Sequence, residues 1–279
     1  MANDPAPGSR RGDSLVATLL TWFLPGAGHL YIGRPVHAAV GFVVVFGLYL
    51  LGLALADGMT FEFLDPELRS PLAVALSPEL GNLGGLVWQI QNHGFGPVPY
   101  VPRPYPDTIF LGSTLTALSG VLNMALMVDA HFDARHGLGR SPALQVLAGW
   151  AVPGLGHLLQ GRLVRAVVVA VALIGLLVVG TALAEGSNLD RERHFYYWAA
   201  QFLAGLPAIA AEFLSGRPPV ESPVRLADFG LTYAAMAGLL NGVVLIDVYG
   251  WSRARLLGVD PVEDRRLTQA KRKPVGEGA

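Results

Sequence analysis

The chain has 279 residues, 52% of them hydrophobic and only 15% charged, with a formal net charge of −1 and no cysteine. A soluble domain carries about a quarter charged residues; here the apolar residues gather in blocks, which predicts membrane spans rather than one oversized core. The near-neutral charge excludes an electrostatic case for nucleic acid, and the missing cysteines exclude disulfides, thiolate chemistry and cysteine-based metal sites.

Residues 1–13 read as a polar tail. Arg10 and Arg11 precede an apolar run from Ser14, the layout of a signal peptide, but no small-x-small cleavage site follows and the segment is expected to be retained. Segment 14–33 is apolar but broken by Pro25-Gly26-Ala27-Gly28. Proline removes a backbone donor and glycine is entropically costly in a helix. In hydrocarbon each freed backbone group must find a partner, so the segment is either a kinked span or a half-helix that turns back. Residues 36–56 are long enough to cross a bilayer. A polar connector, 57–107, follows; Pro97, Tyr100 and Tyr105 lie in its proline-rich part, an extended loop able to bind a partner. Residues 108–128 form the next span, and 131–142 a linker.

The pattern then repeats. Segment 143–161 is broken by Pro153-Gly154-Leu155-Gly156, 163–184 is a span, 185–228 a second connector and 229–246 the last span. Within the second connector, 195–214 is apolar but holds Gln201, Pro207 and Glu212, and is expected to lie as an interfacial or partly buried helix. Trp88, Phe195, Tyr196, Tyr197 and Trp198 read as interfacial aromatics. Residues 251–279 form a basic tail, expected to begin as a short helix at the headgroups.

Aligned without gaps, 22–58 and 150–186 share 19 of 37 residues, among them Pro25/Pro153, His29/His157 and Arg34/Arg162. A second block, 112–129 against 230–247, shares 7 of 18, including Asn123/Asn241 and Asp129/Asp247. A weaker Trp-x-x-Gln echo pairs Trp88 with Trp198 and Gln91 with Gln201. The expected fold is therefore all-α and membrane-integral: two pseudo-symmetric repeats, 14–130 and 143–250. Each holds a Pro-Gly-broken helix and two transmembrane helices, about six membrane-embedded helices in all.

If the broken segments turn back, 14 of the basic residues lie on the side of the termini and 6 opposite. If both span, the split is 13 to 7; arginines at the same two points of each half favour turning back, and this predicts cytoplasmic termini and extracytoplasmic connectors. Under either choice Arg34 and Asp129 share a face, as do Arg162 and Asp247 unless 195–214 is a full span, so an ion pair is expected in each half.

Two histidines and two aspartates, His29, His157, Asp129 and Asp247, could meet on a pseudo-twofold axis and bind a metal. The preferred reading is that each histidine satisfies carbonyls at its broken backbone, and no cofactor is expected. The Pro-Gly-x-Gly turns could present amides to a phosphate or lipid headgroup beside Arg34 or Arg162, though close packing is preferred for these glycines. Asn123 and Asn241, inside spans, are expected to make interhelical hydrogen bonds. No nucleophile elbow, P-loop, dinucleotide fingerprint or acid pair is present in a credible setting.

The run Pro25-Gly26-Ala27-Gly28-His29-Leu30-Tyr31-Ile32-Gly33-Arg34, leading into an apolar helix, resembles the TM2 domain family of small two-helix membrane modules. The duplicated form also resembles uncharacterised bacterial multi-pass proteins. The signature covers 14–58 and 143–186, and the second copy departs from it at Leu159, where the first has Tyr31. The resemblance implies a hairpin in each half, in a bacterial cytoplasmic membrane, and no catalytic residues.

The function expected is non-enzymatic: a scaffold or accessory subunit of a larger membrane assembly, surrounded by lipid and bound to other membrane subunits or to copies of itself. The alternative is a small transporter or lipid-handling protein with a polar site at the repeat interface, drawn from His29, His157, Asn123, Asn241, Arg34 and Arg162. A metal-dependent membrane hydrolase using His29 and His157 is a third possibility.

Overall fold

The computed structural model describes residues 11–61, 64, 71–93, 104–215, 224–259 and 261. Among these residues the chain is helical without strands. In order the helices are α1 (Ser14–Phe23), α2 (Ala27–Tyr31), α3 (Pro35–Leu55), α4 (Pro71–Leu76), α5 (Leu83–His93) and α6 (Ile109–His136). The second half follows with α7 (Ala143–Ala151), α8 (Leu155–Leu159), α9 (Leu163–Leu183), α10 (Phe195–Gln201), α11 (Leu206–Leu214) and α12 (Ala227–Leu256). Four of these, α3, α6, α9 and α12, are long and apolar enough to cross a membrane, with mean hydropathies of 2.5, 1.6, 2.8 and 1.8. Two helices outrun their expected ends. α6 takes in the first residues assigned to the linker, and α12 the first residues assigned to the tail.

The Pro-Gly motif stops α1 by local geometry. A residue before proline is pushed out of the helical region, and Leu24 is extended at φ −137°, ψ 110°, as Val152 is at φ −139°, ψ 119°. Gly26 then takes φ +82° and Gly154 φ +90°, a left-handed turn that favours glycine. A Cβ on Gly26 would also stand 2.2 Å from the Ala38 carbonyl oxygen, and one on Gly154 2.3 Å from that of Ala166. Both the conformation and the space demand glycine.

α6 serves as a ruler for the depth of everything packed on it. The Arg11 amide bonds the Ala134 carbonyl near its C-terminal end. α1 then climbs to Asn123, whose Nδ2 donates to the Thr21 carbonyl at 2.9 Å. After the turn α2 descends: His29 meets Asp129 and Arg34 meets Asp133. Segment 11–34 therefore begins and ends at one end of α6 and turns about 16 Å in, eleven residues at 1.5 Å each.

The connectors are more than loops at the far end. The 3₁₀ turn Pro78–Asn82 reaches inward until Gly120 of α6 lies against the Pro78 carbonyl. Asn123 Nδ2 also bonds the Gly81 carbonyl at 2.9 Å. The tips of two hairpins, one from each end, thus meet at a single asparagine. A Cβ on Gly84, at the start of α5, would stand 1.8 Å from the Phe23 carbonyl oxygen at the end of α1. α1 and α5, 10 and 11 residues long, stack end to end as a discontinuous rod of about 30 Å, the thickness of a bilayer's hydrocarbon core.

The second half repeats this arrangement. Asn241 Nδ2 bonds the carbonyls of Gly149, 3.2 Å, and Leu203, 2.9 Å. Gly238 lies against the Ala200 carbonyl and Gly205 against that of Trp150. α7 and α11 form the second broken rod. Gly52 with Gly112, and Gly180 with Gly230, let the long helices of each half touch backbone to backbone.

Asn123 and Asn241 also correct the register of the connectors. Gly81 corresponds to Leu203, so Trp88 does not correspond to Trp198, nor Gln91 to Gln201. Trp88 is 41% exposed, whereas Trp198 and Phe195 are buried in the main apolar cluster with Trp150 and Phe202. Those two are core residues, not interfacial ones. Residues 195–214 are not one helix: they descend as α10, turn at Gly205 and return as α11.

Candidate functional site: a groove in the first half

The two halves are joined by a buried clasp that the sequence reading did not single out. Arg191, 1% exposed, donates from Nε and Nη2 to the Glu212 carboxylate at 2.7 and 2.6 Å. It also donates to Ser113 Oγ at 2.7 Å and Thr114 Oγ1 at 2.8 Å, both on α6. Trp198 Nε1 donates to Glu212 at 2.9 Å, and its ring lies under the guanidinium at 4.3 Å. This pins the second connector to the first half. Glu79, also buried, accepts from Thr116 Oγ1 at 2.9 Å nearby.

At the end where segment 11–34 enters, each half holds a histidine–aspartate pair. His29 Nε2 donates to Asp129 Oδ2 at 2.8 Å, and His157 Nε2 to Asp247 Oδ2 at 3.1 Å. Both histidines are buried. The sequence predicts that each histidine satisfies carbonyls at its broken backbone; instead the carboxylate one helix away takes Nε2. The histidines pair within their own halves. Among the described residues no cluster of three or more histidines and carboxylates is placed to hold a metal.

The arginines divide differently in the two halves. Arg162 Nη1 reaches Asp247 Oδ2 at 2.9 Å, the pair expected. Arg34 does not pair with Asp129; its Nε reaches Asp133 Oδ2, one turn further along α6, at 3.0 Å. The residue equivalent to Asp133 is Trp251, and Arg162 lies 5.6 Å above its ring. With no second aspartate available, Arg162 turns back to Asp247. Asp129 accepts instead from Ser141 Oγ, which also accepts from the Ala143 amide at the start of α7.

That link sets α7 beside α6 and encloses a groove of about 450 Å³ in the first half. Val40, Val44 and Val45 of α3, Leu122 and Leu126 of α6 and Leu147 of α7 give it hydrocarbon walls. Gly41 widens it, and Val40 and Val44 are exposed on its rim. Its polar floor is His29, His37 and Asp129, with the two imidazoles stacked at 6.2 Å and 13°. From Asp129 to Leu122 the groove runs about 10 Å, and from Val36 to Val45 about 14 Å. Its lining ends at Leu122 on α6 and Val45 on α3. The second half replaces its key residues: His37 becomes Arg165 and Gly41 becomes Val169. Nor does any described helix of a further repeat stand beside α12 as α7 stands beside α6.

Of the residues singled out from sequence, His29 and Asp129 line the groove, and Asn123, beside the lining residue Leu122, holds the carbonyls of Thr21 and Gly81. Arg34 lies at its polar end, turned to Asp133. His157, Arg162, Asn241 and Asp247 repeat the skeleton in the other half. Tyr105 is 47% exposed; Pro97 and Tyr100 lie outside the described residues. His37 was missed, and the signal for it lay in the repeat alignment, at a mismatch with Arg165 rather than at an identity.

The model of a family of unknown function, DUF6677, matches residues 16–141 and, separately, 144–259. The two matches divide the chain where the linker joins the two halves. No curated protein and no solved structure matches the chain.

Proposed function

Because the chain belongs to DUF6677, a family of unknown function, we propose its role from the geometry: it is a multi-pass membrane protein that holds the hydrocarbon chain of a lipid-like amphiphile in the first-half groove. The groove itself carries this reading. Its walls are hydrocarbon, its rim opens past Val40 and Val44, and its one polar end is the end at which both halves gather their arginines. A volume of about 450 Å³ falls in the range of small-molecule sites, about 300–1,000 Å³. Its depth of about 10–14 Å is close to one leaflet of a 30 Å hydrocarbon core.

These features favour lipid handling over the scaffold role. They also favour binding within one leaflet over transport across the membrane, because the groove's lining ends at Leu122 and Val45. In this reading the broken segments are re-entrant, the termini and the groove's polar end are cytoplasmic, and the membrane is the bacterial inner membrane. The basic residues Arg11, Arg34, Arg135, Arg140, Arg162 and Arg165 at that end support the orientation. The likeness of 25–34 to TM2 modules supports membrane embedding of the motif.

The test is lipid retention. Val44→Trp fills the groove from its rim and is expected to abolish the amphiphile that stays with the protein through delipidating purification, as read by native mass spectrometry. Ala172→Trp, the equivalent change in the second half, is expected to leave it bound. Equal retention in both variants would refute the assignment.

A further inference from the structure

The floor of the groove differs from its counterpart in charge as well as shape. Arg165 holds in α9 the place that His37 holds in α3. Its Nη1 stands 3.6 Å from Asp247 Oδ2, an oxygen that Arg162 also reaches at 2.9 Å. Asp129 has no such arginine: its ion-pair partner among the described residues is His29. Arg34 and Arg11 are turned onto Asp133, at 3.0 and 4.0 Å, and Arg34 acts on Asp129 only through space. His37 lies flat against His29 instead of reaching the carboxylate. Of the roughly four acceptor positions of a carboxylate, His29 and Ser141 occupy two on Asp129.

A carboxylate at the end of an apolar groove, with no guanidinium or ammonium group in contact among the described residues, attracts a cation and repels an anion more strongly than it would in water. The second half shows what satisfies that place when the chain supplies it: a guanidinium on an aliphatic stem. We infer that the groove selects an amphiphile with a cationic, hydrogen-bond-donating head, an ammonium group on a hydrocarbon chain, which does at Asp129 what Arg165 does at Asp247. The inference rests on the groove being a hydrocarbon site, as proposed above, and adds the chemistry of the head.

Three probes of equal chain length separate the two claims. The full chain in phosphatidylcholine nanodiscs is titrated with dodecylammonium, dodecanol and dodecanoate, with protein-free discs as the blank. Dodecylammonium is expected to bind at one per chain and about tenfold or more tighter than dodecanoate, with dodecanol between. His37→Arg copies the second half onto a backbone that already accepts arginine there, and is expected to weaken dodecylammonium binding about tenfold. Asp129→Asn is expected to level the three heads while tails still bind. Equal affinity of the wild-type protein for all three heads overturns the cationic head and leaves the groove standing. No saturable binding of any probe overturns the groove reading itself. An unchanged dodecylammonium affinity in His37→Arg also overturns the head assignment.

Discussion

The two halves of this protein share a skeleton and differ in chemistry. Each has two long helices, a Pro-Gly hairpin from one end, a connector hairpin from the other, and an asparagine where the tips meet. Yet one half has a groove ending in His37 and Asp129, while the other has Arg165 and Val169 in the same places. Duplication preserved what the backbone requires and released what it does not. Glycine at 26 and 154 is fixed by a left-handed turn and a carbonyl 2.2–2.3 Å from any added Cβ; the side chain at 37 and 165 is under no such constraint.

The largest effect expected is on the joint between the halves, which has no symmetric justification. Arg191→Met takes the guanidinium away from the buried Glu212 carboxylate, and is expected to cost about 3–5 kcal/mol, measured as a loss of thermal stability in detergent. A change within error would mean that the halves do not depend on the clasp. Asn123→Leu and Asn241→Leu come next. Each removes two hydrogen bonds to buried carbonyls, an expected loss of about 1–3 kcal/mol. The skeleton is common, so the two losses should agree within about 1 kcal/mol; a large inequality would break the symmetry argued for the hairpin tips. The smallest effect belongs to Gly47→Ala and Gly175→Ala. Among the described residues, nothing beyond the helix's own backbone lies within 4 Å of a Cβ added at either position, and removing a helix-interior glycine is expected to stabilise each half by about 0.5–1 kcal/mol. A marked loss at either would reveal a partner packed there.

The repeat, the four long helices and the Pro-Gly breaks were legible in the sequence because identity, hydropathy and the backbone chemistry of proline and glycine are local or periodic signals. Pairing of His29 with Asp129 was not, since it depends on how far α2 descends along α6. Arg34 was matched with the wrong carboxylate for a similar reason: Asp129 and Asp133 lie one turn apart on the same helix, and only the Asp129 position is repeated. The connectors were read as extracytoplasmic from the spread of basic residues, with 195–214 as an interfacial or partly buried helix. Their inward turns depend instead on close approach at Gly120 and Gly238 and on carbonyls captured by asparagine. Arg191 was counted as a connector charge because burial of an arginine requires partners that come from a distant helix.

The most direct test of the central claim is to map the retained amphiphile. The protein is loaded with a lipid carrying a photoreactive group in its tail, stripped of bulk lipid, irradiated and digested, and the labelled residues are read by mass spectrometry. Labelling concentrated at Val40, Val44, Leu122 and Leu147, and absent from Ala172 and Leu240, is the result predicted. Equal labelling of equivalent positions in the two halves would contradict it.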